Sequence, residues 1–379
     1  MARMARCQYI DPHATQIIHV TSRCVRRAFL CGKDRYSGKS FEHRRVWIRE
    51  RFEFLASVFA IDCLTFAVLS NHLHLVLRSR PDIVQGWSDR EVAERWLRLC
   101  PPRRNGTVAD FQDSDVSMIT EDPQQLAELR VRLSDISWWM RMTAQKIAHQ
   151  ANQEDDCTGR FWEGRFKAQV LLDEAAILAC AMYVDLNPIR AAMAQSLGES
   201  EFTGAKARFD DFQDSESIKK KSATESSSSF SDEESSPVDA TNSGLGGQTS
   251  YCERSEGRKQ SGWLSPLEIK ESSDPIGADP SRCGRRASLK GFLSMPLERY
   301  LALVDWTGRQ LRSDKRGAIP AELAPLLTQL GIAPDRWLDL ALRFGKLFKR
   351  AAGSSISLTT EANQCNQNWL QAPGASCFG

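Results

Sequence analysis

The sequence predicts an α+β domain, an antiparallel sheet with helices packed on one side. Two stretches alternate with a period of two, Gln16 to Arg23 and His72 to Arg78, as half-buried strands do. Helical periodicity lies between and after them. The resulting order is strand, helix, strand, strand, helices, strand, helix.

In QIIHVTSR, alternation puts Ile17, His19, Thr21 and Arg23 on one face. Residues 43 to 60 follow a helical period, with Ile48, Phe52, Leu55 and Phe59 on one stripe. Ile61 to Leu69 is a short apolar run that suits a buried strand, and Ser70-Asn71 makes a tight turn out of it. In the next strand Leu73, Leu75 and Leu77 fall on one face, with His72, His74, Val76 and Arg78 on the other. Residues 81 to 130 hold one helix near 89 to 99 and a polar loop around 101 to 122. Ile136, Trp139, Met140, Thr143 and Ile147 mark an amphipathic helix. Gly159 to Leu172 reads as a loop feeding a strand, and Asp173 caps a helix through Ile177, Leu178, Ala181 and Met182.

Composition divides the chain into a domain at 12–200, a linker at 201–290 and a helical region at 291–350. The linker is rich in Ser, Gly and acid, as in SATESSSSFSDEESSPVDATNSGLGGQTS. Such a segment buries too little surface to offset its ordering entropy, so disorder is expected. Arg and Lys stud the C-terminal helices (RYLALVDWTGRQLRSDKRGAIP, DRWLDLALRFGKLFKR), which suits either DNA binding or a packing module. The tail after 351 is expected to fray.

The net charge is only +2, so nucleic-acid affinity would have to come from local patches. No apolar run approaches the length of a membrane span. The opening MARMARCQYIDP lacks the apolar stretch of a secretory signal. The 11 cysteines are scattered without a CxxC pair, so they read as reduced cytosolic thiols and give no support to a zinc ribbon.

Chemistry concentrates in three places. His72 and His74 project from the same side of a strand, roughly 6–7 Å apart along it. Imidazoles so placed can share a divalent cation at about 2.0–2.2 Å each; two hydrogen-bonded histidines would leave the same pattern. Tyr183 and Asn187 share a helix face, since four residues turn the chain by about 400°. Tyrosine can serve as a covalent nucleophile, and the Asn187 amide oxygen could be a hard ligand for Mg²⁺ or Mn²⁺. Asn187 before Pro188 equally suits an N-cap and N1 pair opening a new helix, and Tyr183 equally suits an amphipathic core position. Finally, cations alternate with aromatics in Arg160-Phe161-Trp162-Glu163-Gly164-Arg165-Phe166-Lys167, fit either for phosphates and stacked bases or for packing at a domain surface. Arg160, Trp162, Arg165 and Lys167 are the candidate DNA contacts here, and Arg23, Arg78 and Arg190 would add charge to the same face.

Together these pieces resemble the IS200-like family of single-tyrosine HUH transposases, and more narrowly its REP-associated bacterial branch. The resemblance rests on HVTSR at 19 to 23, LSNHLHLVLR at 69 to 78, GRFWEGRFKAQVL at 159 to 171 and YVDLNPIRAAM at 183 to 193, in that order, over about half of the chain. It implies a ferredoxin-like sheet with the two histidines on a central strand. It also implies a cytoplasmic, nucleoid-associated bacterial enzyme. Tyr183 would attack a DNA phosphodiester to give a 5′-phosphotyrosine link, and His72, His74 and Asn187 would hold Mg²⁺ or Mn²⁺. The implied partner is single-stranded DNA folded as a hairpin, bound by a monomer or a homodimer.

Residues 81–130, the linker and the C-terminal region depart from the family's compact form. Several members of the family act at repetitive palindromes without being mobile, so the resemblance supports cleavage better than autonomous transposition. A non-catalytic DNA-binding regulator of repetitive palindromes is the alternative. A metal-dependent nucleotide hydrolase ranks below both, because a histidine-triad pattern would need histidine where Val76 stands.

Overall fold

A computed structural model describes residues 9–25, 30–34, 37–227, 260–270, 277–311, 320–365, 367 and 370. Its centre is a five-stranded sheet. Strand β1 (Ile17–Arg23) lies antiparallel to β3 (His72–Ser79), with Thr21 opposite His74 and Arg23 opposite His72. Strand β2 (Ile61–Val68) pairs with β3 across the expected turn at Ser70-Asn71, closed by the Leu69 N–H donating to His72 O at 2.9 Å. A small hairpin of β4 (Arg103–Arg104) and β5 (Thr107–Val108) stands apart. Strand β6 (Lys167–Leu171) flanks β1, and β7 (Ala351–Ala352) joins β6 in parallel. The order β2-β3-β1-β6-β7 is therefore mixed rather than purely antiparallel.

Helices α1 (His43–Val58), α2 (Pro81–Gln85), α3 (Asp89–Leu99), α4 (Asp113–Thr120), α5 (Pro123–Ser134) and α6 (Ile136–Glu154) precede β6. Helix α4 occupies part of the stretch expected as a polar loop. After β6 come α7 (Glu174–Asp185), α8 (Asn187–Arg190), α9 (Gly204–Ser227), α10 (Leu297–Gln310), α11 (Ala324–Gln329), α12 (Trp337–Leu347) and α13 (Ser355–Gln364).

Helices cover both faces of the sheet, which corrects the one-sided expectation. Ile18, Val20, Leu73, Leu75 and Leu77 meet Ile48, Phe52 and Leu55 of α1 and Trp139 and Met140 of α6. On the reverse face Leu64, Ala67, Val76 and Leu171 meet Leu178 and Met182 of α7, Val304 of α10 and Leu340 and Phe344 of α12. The cause is legible in β2, where all eight residues are buried. A strand apolar on both sides needs a cover on each.

The segment expected as a linker folds onto the sheet at both ends. Trp263 and Leu264 join the first core. Asp62, at the start of β2, accepts from the Ser288 N–H at 3.0 Å and the Ser288 hydroxyl at 2.7 Å. Its middle, 228–259, lies outside the described residues, as does most of the tail after 365. The C-terminal helices share the core of α7 instead of forming a module of their own, and β7 extends the sheet. Among the described residues no helix is long and apolar enough to cross a membrane.

Candidate active site

Helix α7 begins as expected, with the Asp173 carboxylate accepting from the Ala176 N–H at 2.9 Å. Its far end is pinned by Asp185, which is fully buried. That carboxylate accepts from the Thr65 hydroxyl at 2.6 Å, the Ala205 N–H at 3.1 Å and the Tyr300 hydroxyl at 2.5 Å. Burial pushes its pKa up, against the pull of those donors. Helix α7 is thus tied to β2, α9 and α10 two residues from both Tyr183 and Asn187.

The structure brings Tyr183 to the histidines. Its ring lies 5.7 Å from that of His74, edge to face, with the rings of His72 and His74 5.0 Å apart. A third histidine, His19 of β1, packs 6.0 Å from Tyr183 and accepts or donates an N···N hydrogen bond to His74 at 2.9 Å. Arg190 holds its guanidinium over the Tyr183 ring, 4.4 Å from the centroid, and donates to the Asn187 amide oxygen at 3.2 Å. Asn187 is the first residue of α8 and makes no side-chain cap, so the N-cap reading of Asn187 is set aside.

All three histidines are held neutral at pH 7. Burial pulls the pKa of His19 down to about 4, against a hydrogen bond that its ring donates to the Gln169 amide oxygen. Burial, then the charges of Arg23, Lys167 and Arg190, pulls His72 down to about 4. His74 is pushed well below its ordinary value, again chiefly by burial. Neutral imidazoles are the form that ligates metals.

A divalent cation can be tested against these donors. The His74 Nε2 and the Asn187 Nδ2 are buried without a hydrogen-bond partner among the described residues. An orphaned imidazole nitrogen beside a second neutral ring fits a cation in donor type. No group of three or more His, Cys, Asp or Glu side chains forms a metal cage among the described residues. A third ligand would therefore be of another kind, such as the Asn187 amide, whose oxygen is engaged by Arg190.

The remaining candidates divide by exposure. Arg23, Arg160, Arg165 and Lys167 are exposed. Arg78 is instead buried, bonded to Asp62 and to the carbonyls of Lys290 and Gly291. Trp162 is also buried, its indole N–H donating to Ala144 O at 2.9 Å, so its ring offers no open face to a base.

Three contributors escaped the sequence reading. His19 had a signal, since its strand face carries Thr21 and Arg23 beside it. Gln169 sits opposite His19 in the β1–β6 register and had none. Phe344 of α12 packs 6.0 Å from Tyr183 and 6.5 Å from His19, so the C-terminal region covers the site. Gly345 permits that approach: a Cβ there would stand 2.9 Å from the Tyr183 hydroxyl.

No protein-family model matches the sequence. No curated protein matches it either. Among solved structures, the chain is similar to one described as "Structure of the REP associates tyrosine transposase bound to a REP hairpin". The two share 11% identity at a TM-score of 0.32, over 54% of this chain and 82% of that one.

Proposed function

We propose that this chain cleaves and rejoins single-stranded DNA folded as a hairpin, with Tyr183 as the nucleophile and Mg²⁺ or Mn²⁺ held by His72, His74 and Asn187. The observation that carries the reading is the Tyr183 phenol lying against neutral His74 and beneath the Arg190 guanidinium. The phenol oxygen attacks phosphorus and the P–O3′ bond breaks. The phenol proton is lost, the 3′ oxygen takes one up, and a 5′-phosphotyrosine link remains. Attack by a 3′-hydroxyl on that link reverses the step and rejoins the strand. A bound cation would neutralise charge on the non-bridging phosphate oxygens. Arg190 sits where it can meet the same charge, and the exposed Arg23, Arg160, Arg165 and Lys167 supply contacts to the DNA backbone.

A second reading, a hairpin-binding regulator without catalysis, is favoured by the cover that Phe344 and Gly345 place over Tyr183. Incubation with Mn²⁺ and hairpin oligonucleotides separates the two. Catalysis gives a denaturation-resistant protein–DNA adduct that disappears with chelator and in Tyr183→Phe. Hairpin binding indifferent to both, with no adduct, establishes the regulator.

A further inference from the structure

Neutral imidazole carries one N–H and one bare nitrogen, and its hydrogen-bond partners decide which is which. His72 Nδ1 lies 2.5 Å from the Asn71 amide oxygen. That oxygen only accepts, so Nδ1 carries the hydrogen and Nε2 is bare. For His74 the setting runs through a chain across three adjacent strands. Gln169 Oε1, on β6, stands 3.3 Å from His19 Nδ1 on β1. The His19 Nδ1–H donates to it, which leaves His19 Nε2 as an acceptor 2.9 Å from His74 Nδ1 on β3. The Thr21 hydroxyl, 3.2 Å from the same nitrogen, is a second acceptor for its hydrogen. The His19 and His74 rings are 8° from parallel with centroids 5.1 Å apart, as suits two rings meeting edge to edge through an N–H···N bond.

The chain has a polarity. Run in reverse, from a Gln169 amide N–H inwards, it would end with the hydrogen on His74 Nε2. That atom is buried and has no partner among the described residues, so its hydrogen would meet no acceptor there and would bar a cation. Run forwards, it ends in a bare lone pair, which a cation can fill.

We propose that Asn71, His19 and Gln169 are positioning residues that fix His72 and His74 as Nδ1–H tautomers, presenting both Nε2 atoms to a divalent cation. The proposal rests on the reading of this pair as a cation site. Outer partners of this kind tune metal affinity by about 10–100-fold.

The test uses the full chain in two measurements. Long-range ¹H–¹⁵N spectra of the imidazoles report the tautomers without metal, and Mn²⁺ titration followed by electron paramagnetic resonance reports affinity. The expected spectrum shows bare Nε2 on both rings. Mn²⁺ affinity should fall about 10–100-fold in His19→Phe, which keeps a flat ring but removes the acceptor, and stay within about threefold in His19→Gln, which retains one. A His74 Nε2–H in the wild type overturns the proposal, as does equal Mn²⁺ affinity in wild type and His19→Phe. If His19→Phe fails to fold, the wild-type spectrum and His19→Gln decide. A wild type with the expected tautomers but no Mn²⁺ binding supports the tautomer assignment and refutes the cation reading.

Discussion

Replacing Gly345 by alanine would place a Cβ 2.9 Å from the Tyr183 hydroxyl and 3.2 Å from its Cζ. Carbon contacts settle at about 3.5–4.0 Å, so phenol or helix must give way. Overpacking of this kind costs about 1–3 kcal/mol. Against it, Gly→Ala in a helix gains about 0.8–1.0 kcal/mol from backbone entropy. The net expectation in the wild type is a loss of about 1 kcal/mol. In a Tyr183→Phe background the closest atom is gone and the ring carbons Cζ and Cε1 remain, at 3.2 and 3.8 Å, so the same substitution should be neutral or stabilising by up to about 1 kcal/mol. Urea unfolding of the four proteins should yield a coupling of about 1–2 kcal/mol between the sites. Additivity within about 0.5 kcal/mol, or equal stabilisation by Gly345→Ala in both backgrounds, would refute the packing of α12 on the phenol. The cycle bears on function, because a helix resting on the hydroxyl has to yield before a phosphodiester reaches it.

Arg78→Met should cost about 3–5 kcal/mol in urea unfolding, because it strips a partner from the buried Asp62 carboxylate. Lys167→Ala, at an exposed position, should change stability by less than about 0.5 kcal/mol; it should also reduce the salt slope of hairpin binding by about 0.7. Tyr300→Phe removes the 2.5 Å bond to Asp185 and should destabilise the fold, by about 1–3 kcal/mol in the same assay. Stability should be full above about pH 6.5 and fall as pH drops towards 4, because His19 and His72 bind protons more weakly folded than unfolded. His19 alone accounts for roughly 3 kcal/mol of that fall, so thermal unfolding of His19→Gln should show a flatter pH profile over this range.

Local rules made part of the molecule legible. The β2–β3 turn, the strand alternation of β1 and β3, the stripe of α6 and the Asp173 cap all follow from neighbours close in sequence. The histidine pair and Tyr183, which the fold sets side by side, each lie within one recognisable segment. Long-range pairing was not legible. Strand β7 is two residues long and finds β6 about 180 residues earlier in the chain, with no pattern of its own to mark it. Composition averaged over 201–290 hid Trp263, Leu264 and the Ser288 contacts to Asp62 behind the serine-rich centre. The burial of Arg78 and Trp162 escaped for a related reason, since a cation or an aromatic ring does not announce which partner it meets. Gln169 reads as an ordinary strand residue until the β1–β6 register sets it opposite His19.

In the proposed reaction Tyr183 forms the covalent bond to DNA. Peptide mapping by mass spectrometry after incubation with Mn²⁺ and a hairpin oligonucleotide tests it most directly. The expected product is a nucleotide attached through its 5′-phosphate to the peptide containing Tyr183. Attachment to any other residue, or an intact oligonucleotide recovered from a hairpin-bound protein, would contradict it.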